Sequence, residues 1–343
     1  MSLKINDITS LHSIYCLTAT VSICLNILMI YIIAYKSPKN MGAYKHLLIL
    51  IALSEIFYSI TDAILTPIHL SHKSAIIVIS GANYDFLGRE FYHHLKTFFW
   101  ALFGASLAFF AVNFVYRYLV ISMHSLLESF NSWKFAIWML IPLSNAVIWS
   151  ITSEFLCCPD KEMSDFVREE VFSEFGKNID QLVYRGVFLY ETDANGELSL
   201  RYKSFFPFVI MSTCVSGSFG IISYFGVKCY NRITTVLEVS SSSHHQILQK
   251  QLFYALVLQT LIPVLFMNLP ITVMFVCGFL NIDLGAYSAL ATVFITTYPA
   301  VDPLPNFIII KPYRDAVLDI LKCRKGKVEP LQLSLVQMIR FSA

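Results

Sequence analysis

The intervals between charged residues constrain this chain more than any motif in it. Uncharged stretches run from 8 to 35, 97 to 116, 135 to 153, 204 to 227, 251 to 282 and 284 to 301, each near or above the ~18–20 residues a helix needs to cross hydrocarbon. A seventh apolar run, 46 to 70, is interrupted only by Glu55 and Asp62. Charged residues make up 14% of the 343 positions and apolar ones 56%, whereas soluble domains carry about 25% charge, so a membrane protein is expected. The expected spans are 11–34, 46–70, 97–122, 133–152, 205–227, 252–279 and 286–310, an all-α seven-helix bundle. The apolar segment Ser74–Ser80 is too short to cross.

Seven spans place the termini on opposite sides. With residues 1–10 outside, the inner segments carry 15 Lys plus Arg and the outer segments 10, six of them in the long loop 153–204. Long loops translocate largely regardless of charge, and the short first inner loop has Lys36, Lys39 and Lys45 with no acid, so the N-terminus is expected outside and the tail 311–343 inside. The first apolar run has no basic region before it and reads as a retained span rather than a leader. The long loop, with 11 acidic and 6 basic residues, reads as a small solvated cap. No zinc spacing, phosphate loop or basic stripe is present, and no intramembrane His/Asp set, so no metal, cofactor, nucleic-acid partner or enzymatic activity is expected.

Several residues inside the spans stand out against this apolar background. Arg117, between Tyr116 and Tyr118, ends the third span; an arginine at mid-bilayer costs roughly 2.5–3.5 kcal/mol, so it sits at a boundary or faces protein. Glu55 and Asp62 are two helical turns apart on one face of span 2. They read either as an ion or proton site or as a hydrogen-bonded packing feature. In span 7, Pro299, Pro303 and Pro305 interrupt the backbone ladder around Asp302 and Asn306, and Asp302 is expected to face Asn26, Glu55 or water. Pro263 and Pro270 kink span 6 beside Gln259 and Asn268, as a swinging hinge or a static bend. Phe98, Phe99, Trp100 and Phe103 of span 3, with Phe206, Phe208 and Met211 of span 5, either line an apolar pocket or serve packing and lipid contact. Beyond span 7, Tyr313, Val317, Ile320 and Leu321 recur at helical spacing, which predicts an amphipathic helix on membrane lipid. Cys323 at its end is either palmitoylated or a free thiol, and Ser240–Ser243 form either a phosphorylated or a plain linker.

Gly42-Ala43-Tyr44-Lys45, Ile51-Ala52-Leu53-Ser54-Glu55, Tyr116-Arg117-Tyr118, the run from Gln259 to Pro270, and Pro299-Ala300-Val301-Asp302-Pro303-Leu304-Pro305-Asn306 leading to Lys311-Pro312-Tyr313-Arg314 occur in order on these spans. Together they resemble the nematode serpentine chemoreceptors of the Str class, over residues 11 to 325. The resemblance implies an olfactory-type G-protein-coupled receptor in the plasma membrane, at the sensory cilium of a chemosensory neuron. Arg117 would then occupy the place of the arginine in the rhodopsin-like Asp-Arg-Tyr motif, with Tyr116 where the acid would be. Its resting partner is left open among Glu238, a backbone carbonyl and lipid phosphate. Asp302-Pro303-Leu304-Pro305-Asn306 stands where such receptors have Asn-Pro-x-x-Tyr, and Glu55 resembles their span 2 aspartate. Since no cysteine lies between Cys24 and Cys157, the disulfide usual at the top of span 3 cannot form. Pairing of Cys157 or Cys158 with Cys277 or Cys16 is the alternative. The resulting expectation is a receptor that binds a small chemical in its outer half and opens an inner crevice to a heterotrimeric G protein. The rival expectation is a seven-helix ligand-gated channel or transporter with an inner N-terminus.

Overall fold

A computed structural model describes residues 5–37, 41–81, 88–192, 198–239 and 244–322. Seven helical rods form the bundle: α1 (Ile5–Lys36), α2 (Tyr44–Leu65), α3 (Arg89–Ile121), α4 (Phe135–Phe155), α6 (Tyr202–Val239), the joined α7 (His244–Pro263) and α8 (Leu269–Phe279), and the joined α9 (Ser288–Val301) and α10 (Leu304–Ile309). The third rod is the axis: in its most apolar stretch 61% of residues are buried, against 17% in α4, whose bare flank suits lipid.

Span 2 is shorter than expected. The helix stops at Leu65 because Pro67 disfavours helical backbone in the residue before it, and Thr66 turns left-handed (φ 44) with its N–H on Asp62 O. The remaining apolar residues become β1 (Pro67–His72), which turns through Lys73 and Ser74 into β2 (Ala75–Ser80). β3 (Tyr184–Phe188), from the long loop, pairs antiparallel with β2 to give the order β1-β2-β3. A short hairpin, β4 (Tyr190–Thr192) with β5 (Leu198–Leu200), follows.

The expected solvated cap is therefore a folded lid with its own core. Every residue of β2 is buried, because the sheet is covered on both faces. Ile77 and Ile79 pack against α5 (Lys161–Phe175), while Ile76 and Val187 face the bundle. α5 presents Met163, Val167, Val171 and Phe175 to the sheet, one apolar residue every fourth position. It is capped by Asp160, whose Oδ1 accepts the Met163 N–H at 2.9 Å, and ends at left-handed Gly176 (φ 64). A side chain at Gly186 would place Cβ 2.4 Å from Ile76 O, so glycine is what lets β3 close on β2.

The prolines act where they fall. A π-helical turn, Val264–Asn268, occupies the interval between Pro263 and Pro270, and Asn268 Nδ2 donates to Pro263 O at 3.0 Å. In span 7, Pro303 lacks the N–H that would bond Pro299 O; Ser22 Oγ and Asn26 Nδ2 of α1 donate to that carbonyl instead, at 3.0 and 3.1 Å. After Ile309 the chain bends by 103° into α11 (Lys311–Leu321), the amphipathic helix expected after span 7. Its buried Tyr313 hydroxyl meets Ser37 Oγ at 2.8 Å. Cys323 and Ser240–Ser243 lie outside the described residues, as does the side chain of Glu238.

Candidate functional site: a lidded cavity, a polar core and a buried arginine

Beneath the sheet lies a cavity of about 290 Å3. Phe99, Trp100 and Phe103 of α3, Trp149 of α4, Phe208 and Met211 of α6, Ile76 and Val187 of the sheet, and Asn268, Ile271 and Phe275 beside the π turn line it. Among the described residues no acidic, lysine or arginine side chain lines it; its polar edges are His69, Ser212, Ser216, Asn268 and Thr272. His69 is held neutral, its pKa lowered to about 3 by burial and by nearby Lys96. The indole N–H groups of Trp100 and Trp149 have no hydrogen-bond partner among the described residues.

Phe98 and Phe206 do not belong to this cavity. They are 44% and 61% exposed and face away from the bundle, because one residue along a helix turns a side chain by about 100° and carries it off the shared face. Trp149 was missed by sequence reasoning. Its available signal was Gly104 on α3, where a Cβ would lie 2.2 Å from Trp149 Cγ; the bare backbone admits the indole.

The lid is held by cations rather than by a disulfide. Lys96 is fully buried and donates from Nζ to Val78 O at 3.0 Å and Val183 O at 2.8 Å, tying α3 to the sheet. Arg185 of β3, also fully buried, donates to Glu154, Thr97 and Ser153 O, and so joins the lid to α4 and α3. The expected pairing of Cys157 or Cys158 with Cys277 or Cys16 is not found: all four are free. Burial raises the Cys157 thiol pKa to about 12, so it is inert. Both cations had looked like ordinary loop charges in the sequence. What marked Lys96 was its position immediately before an uncharged run on the same helix.

Midway along the bundle, the expected polar residues gather. Asp302 accepts Gln259 Nε2 at 2.5 Å, and Asn306 Nδ2 donates to Gln259 Oε1 at 3.1 Å. Glu55 meets Tyr298 OH at 3.4 Å, and also Asn26 and Asp302. Asn26, Glu55, Asp302 and Asn306 are all buried to within 2%. Asp62 lies apart from this set: it takes the hydroxyl of Thr296 on α9. The two-turn spacing that puts Asp62 and Glu55 on one face also separates them along it. Pro303 lies in the α9–α10 break and Pro305 in the first turn of α10, between the buried Asp302 and Asn306.

At the far end from the lid, Arg117 is 1% exposed. Its guanidinium lies 3.5 Å over the Tyr44 ring and donates from Nη1 to Gln249 Oε1 at 2.9 Å. Nε and Nη2 have no hydrogen-bond partner among the described residues. Tyr116 stacks on Tyr44 and donates to Met41 O at 3.2 Å; Tyr118 packs against Phe225. Among the described residues Arg117 thus meets a neutral amide of α7 and an aromatic face of α2, neither of which had been anticipated.

This arrangement has relatives. The model of the serpentine type 7TM GPCR chemoreceptor Str family matches residues 11–318. The chain belongs to the Str family of serpentine receptors. This Str receptor is 31% identical to G-protein coupled receptor str-217 of Caenorhabditis elegans over 88% of its own length and 87% of that protein's. It is 30% identical to serpentine receptor class r-10 of Caenorhabditis briggsae, over 89% of each chain. Squid rhodopsin has the same fold, with a TM-score of 0.63 at 11% identity, covering 96% of this chain and 89% of that one. The Str receptor is therefore a multi-pass G-protein-coupled receptor and not an enzyme.

Proposed function

We propose that this Str receptor is a chemosensory receptor that binds a small uncharged molecule in the lidded cavity and activates a heterotrimeric G protein at the Arg117 end. The observation that carries the reading is the cavity roofed by β2 and β3, lined among the described residues by no acidic, lysine or arginine side chain, at the opposite end of the bundle from a buried arginine. A site of this kind selects apolar ligands, and the two unpaired indole donors favour one with a hydrogen-bond acceptor. The π turn between Pro263 and Pro270 contributes to the cavity wall and to the rod that carries Gln249, so a ligand with different affinities for two positions of that rod would bias the arginine. The lid end faces outward, and the N-terminus with it, in the plasma membrane of a sensory cilium; the lysines of the first inner loop support that orientation.

The test is a panel of small uncharged compounds against the chain expressed with a G-protein reporter. An active compound should lose its effect in Ser216→Phe, which fills the cavity, and in Arg117→Ala, with surface expression retained in both. Full response in either variant refutes the role of that residue. A tag at Met1 should label in intact cells; labelling only after permeabilisation favours the inverted channel or transporter.

A further inference from the structure

Away from the cavity, three ligand-type side chains from distant segments converge on the lid's outer rim: His72 at the end of β1, Glu170 on α5 and Asp283 in the loop before α9. We propose that they form a binding site for a divalent transition-metal ion, zinc being the best fit, which clamps the lid to the loop that leads into span 7.

The distances favour coordination over simple pairing. His72 Nδ1 lies 3.1 Å from Asp283 Oδ2 and 3.7 Å from Glu170 Oε2. These bracket the ligand-to-ligand edge of about 3.3 Å that tetrahedral zinc requires with ligands at roughly 2.0–2.1 Å. Nδ1 is buried from solvent, yet neither contact has hydrogen-bond geometry, so the nitrogen has no hydrogen-bond partner among the described residues. A metal ion on the imidazole lone pair supplies that partner and places its other ligands off the ring axis. The ligands are already oriented: Asp283 Oδ1 accepts the Gly285 N–H at 2.9 Å, leaving Oδ2 for the site, and the His72 ring packs on Phe166, one turn before Glu170 on α5. One imidazole and two carboxylates neutralise a divalent cation and leave the fourth position for water. Calcium would need six to eight oxygens, which this set does not offer.

Such an ion would link three segments that otherwise meet through packing, the sheet, the lid helix and the loop between the sixth and seventh rods. Because that sheet roofs the cavity, an occupied site would slow passage of any ligand beneath it. The binding site itself is independent of what the cavity holds.

The experiment is calorimetric titration of zinc into the purified full-length receptor in lipid nanodiscs, stripped of metal beforehand. One saturable zinc ion per chain is expected in the wild type, with affinity lowered at least about tenfold in His72→Ala and in Asp283→Asn. His94→Ala, at an exposed histidine elsewhere on the same end, should bind as the wild type does. Asp283→Asn keeps the side-chain volume in an exposed loop, and an unchanged metal-free melting temperature in that variant would show that it folds. Absence of saturable zinc binding, equal binding by Asp283→Asn and wild type, or tighter binding of calcium than zinc would each overturn the proposal.

Discussion

Replacing Gln249 by leucine removes the one side chain among the described residues that hydrogen-bonds the Arg117 guanidinium while keeping a similar volume on α7. A hydrogen bond to a charged group contributes about 1.5–3 kcal/mol, and the loss falls on the conformation that holds Arg117 buried. Such a shift multiplies the equilibrium between held and released states by roughly 10- to 150-fold. If the released state is ~1% populated in the wild type, the variant should populate it at about 10–60%. The cation–π contact with Tyr44 at 3.5 Å survives the substitution, so the lower part of that range is the firmer expectation. The assay is ligand-free G-protein reporter output, normalised to surface expression. Gln249→Glu is the counter-test, since a charged acceptor strengthens the latch and should depress both basal and ligand-driven output. Basal output in Gln249→Leu at or below the wild-type level, with equal expression, would refute a resting role for this contact.

Gly104→Ala puts a methyl group 2.2 Å from Trp149 Cγ, and overpacking of this kind costs about 1–3 kcal/mol; a wild-type melting temperature in the purified variant would show that the close approach of α3 and α4 is not required. All cysteines among the described residues are free, so a reducing agent should leave the melting temperature unchanged, and a fall of several degrees would contradict the cation-held lid. At Asp160 burial alone would raise the carboxyl pKa, but the Met163 N–H, Arg201 and Lys203 outweigh it and hold the pKa below its ordinary value. The stabilisation is therefore present above the usual aspartate pKa near ~3.9 and is lost as pH falls through the depressed value. Asp160→Ala should cost ~0.5–2 kcal/mol at neutral pH as a lost helix cap. Hydrogen exchange of the α5 amides reports it, and the gap from wild type should narrow in acid.

The spacing of charges determined the seven rods, because a run long enough to cross hydrocarbon with few charged residues has few alternatives to a buried helix. The prolines of span 7 likewise announced orphaned carbonyls, and the structure shows Ser22 and Asn26 taking Pro299 O. Asn26, Glu55 and Asp302 were legible as one core for the same reason, that polar groups in an apolar helix must face each other, whereas Asp62, expected with them, pairs with Thr296, and Asn306 joins through Gln259. Phe99, Trp100, Phe103, Phe208 and Met211 were legible as cavity residues, whereas Phe98 and Phe206 could be sorted from them only once the rotation of α3 and α6 was known.

What only the tertiary structure decided lies at the two ends of the bundle. Residues 75 to 79 of β2 are a continuous apolar run, and a strand covered on both faces has no alternation to distinguish it from a piece of buried helix. The covering helix, α5, comes from a segment about 80 residues further on, so the sequence near β2 carries no trace of it. Lys96, Arg185 and Gln249 found their roles in the same way. Each looks like a solvated residue until a distant carbonyl, carboxylate or guanidinium is brought within 3 Å of it. Hydrophobic length is a property of consecutive residues and can be read along the chain. The partner of a buried polar group is a property of the packed bundle and cannot.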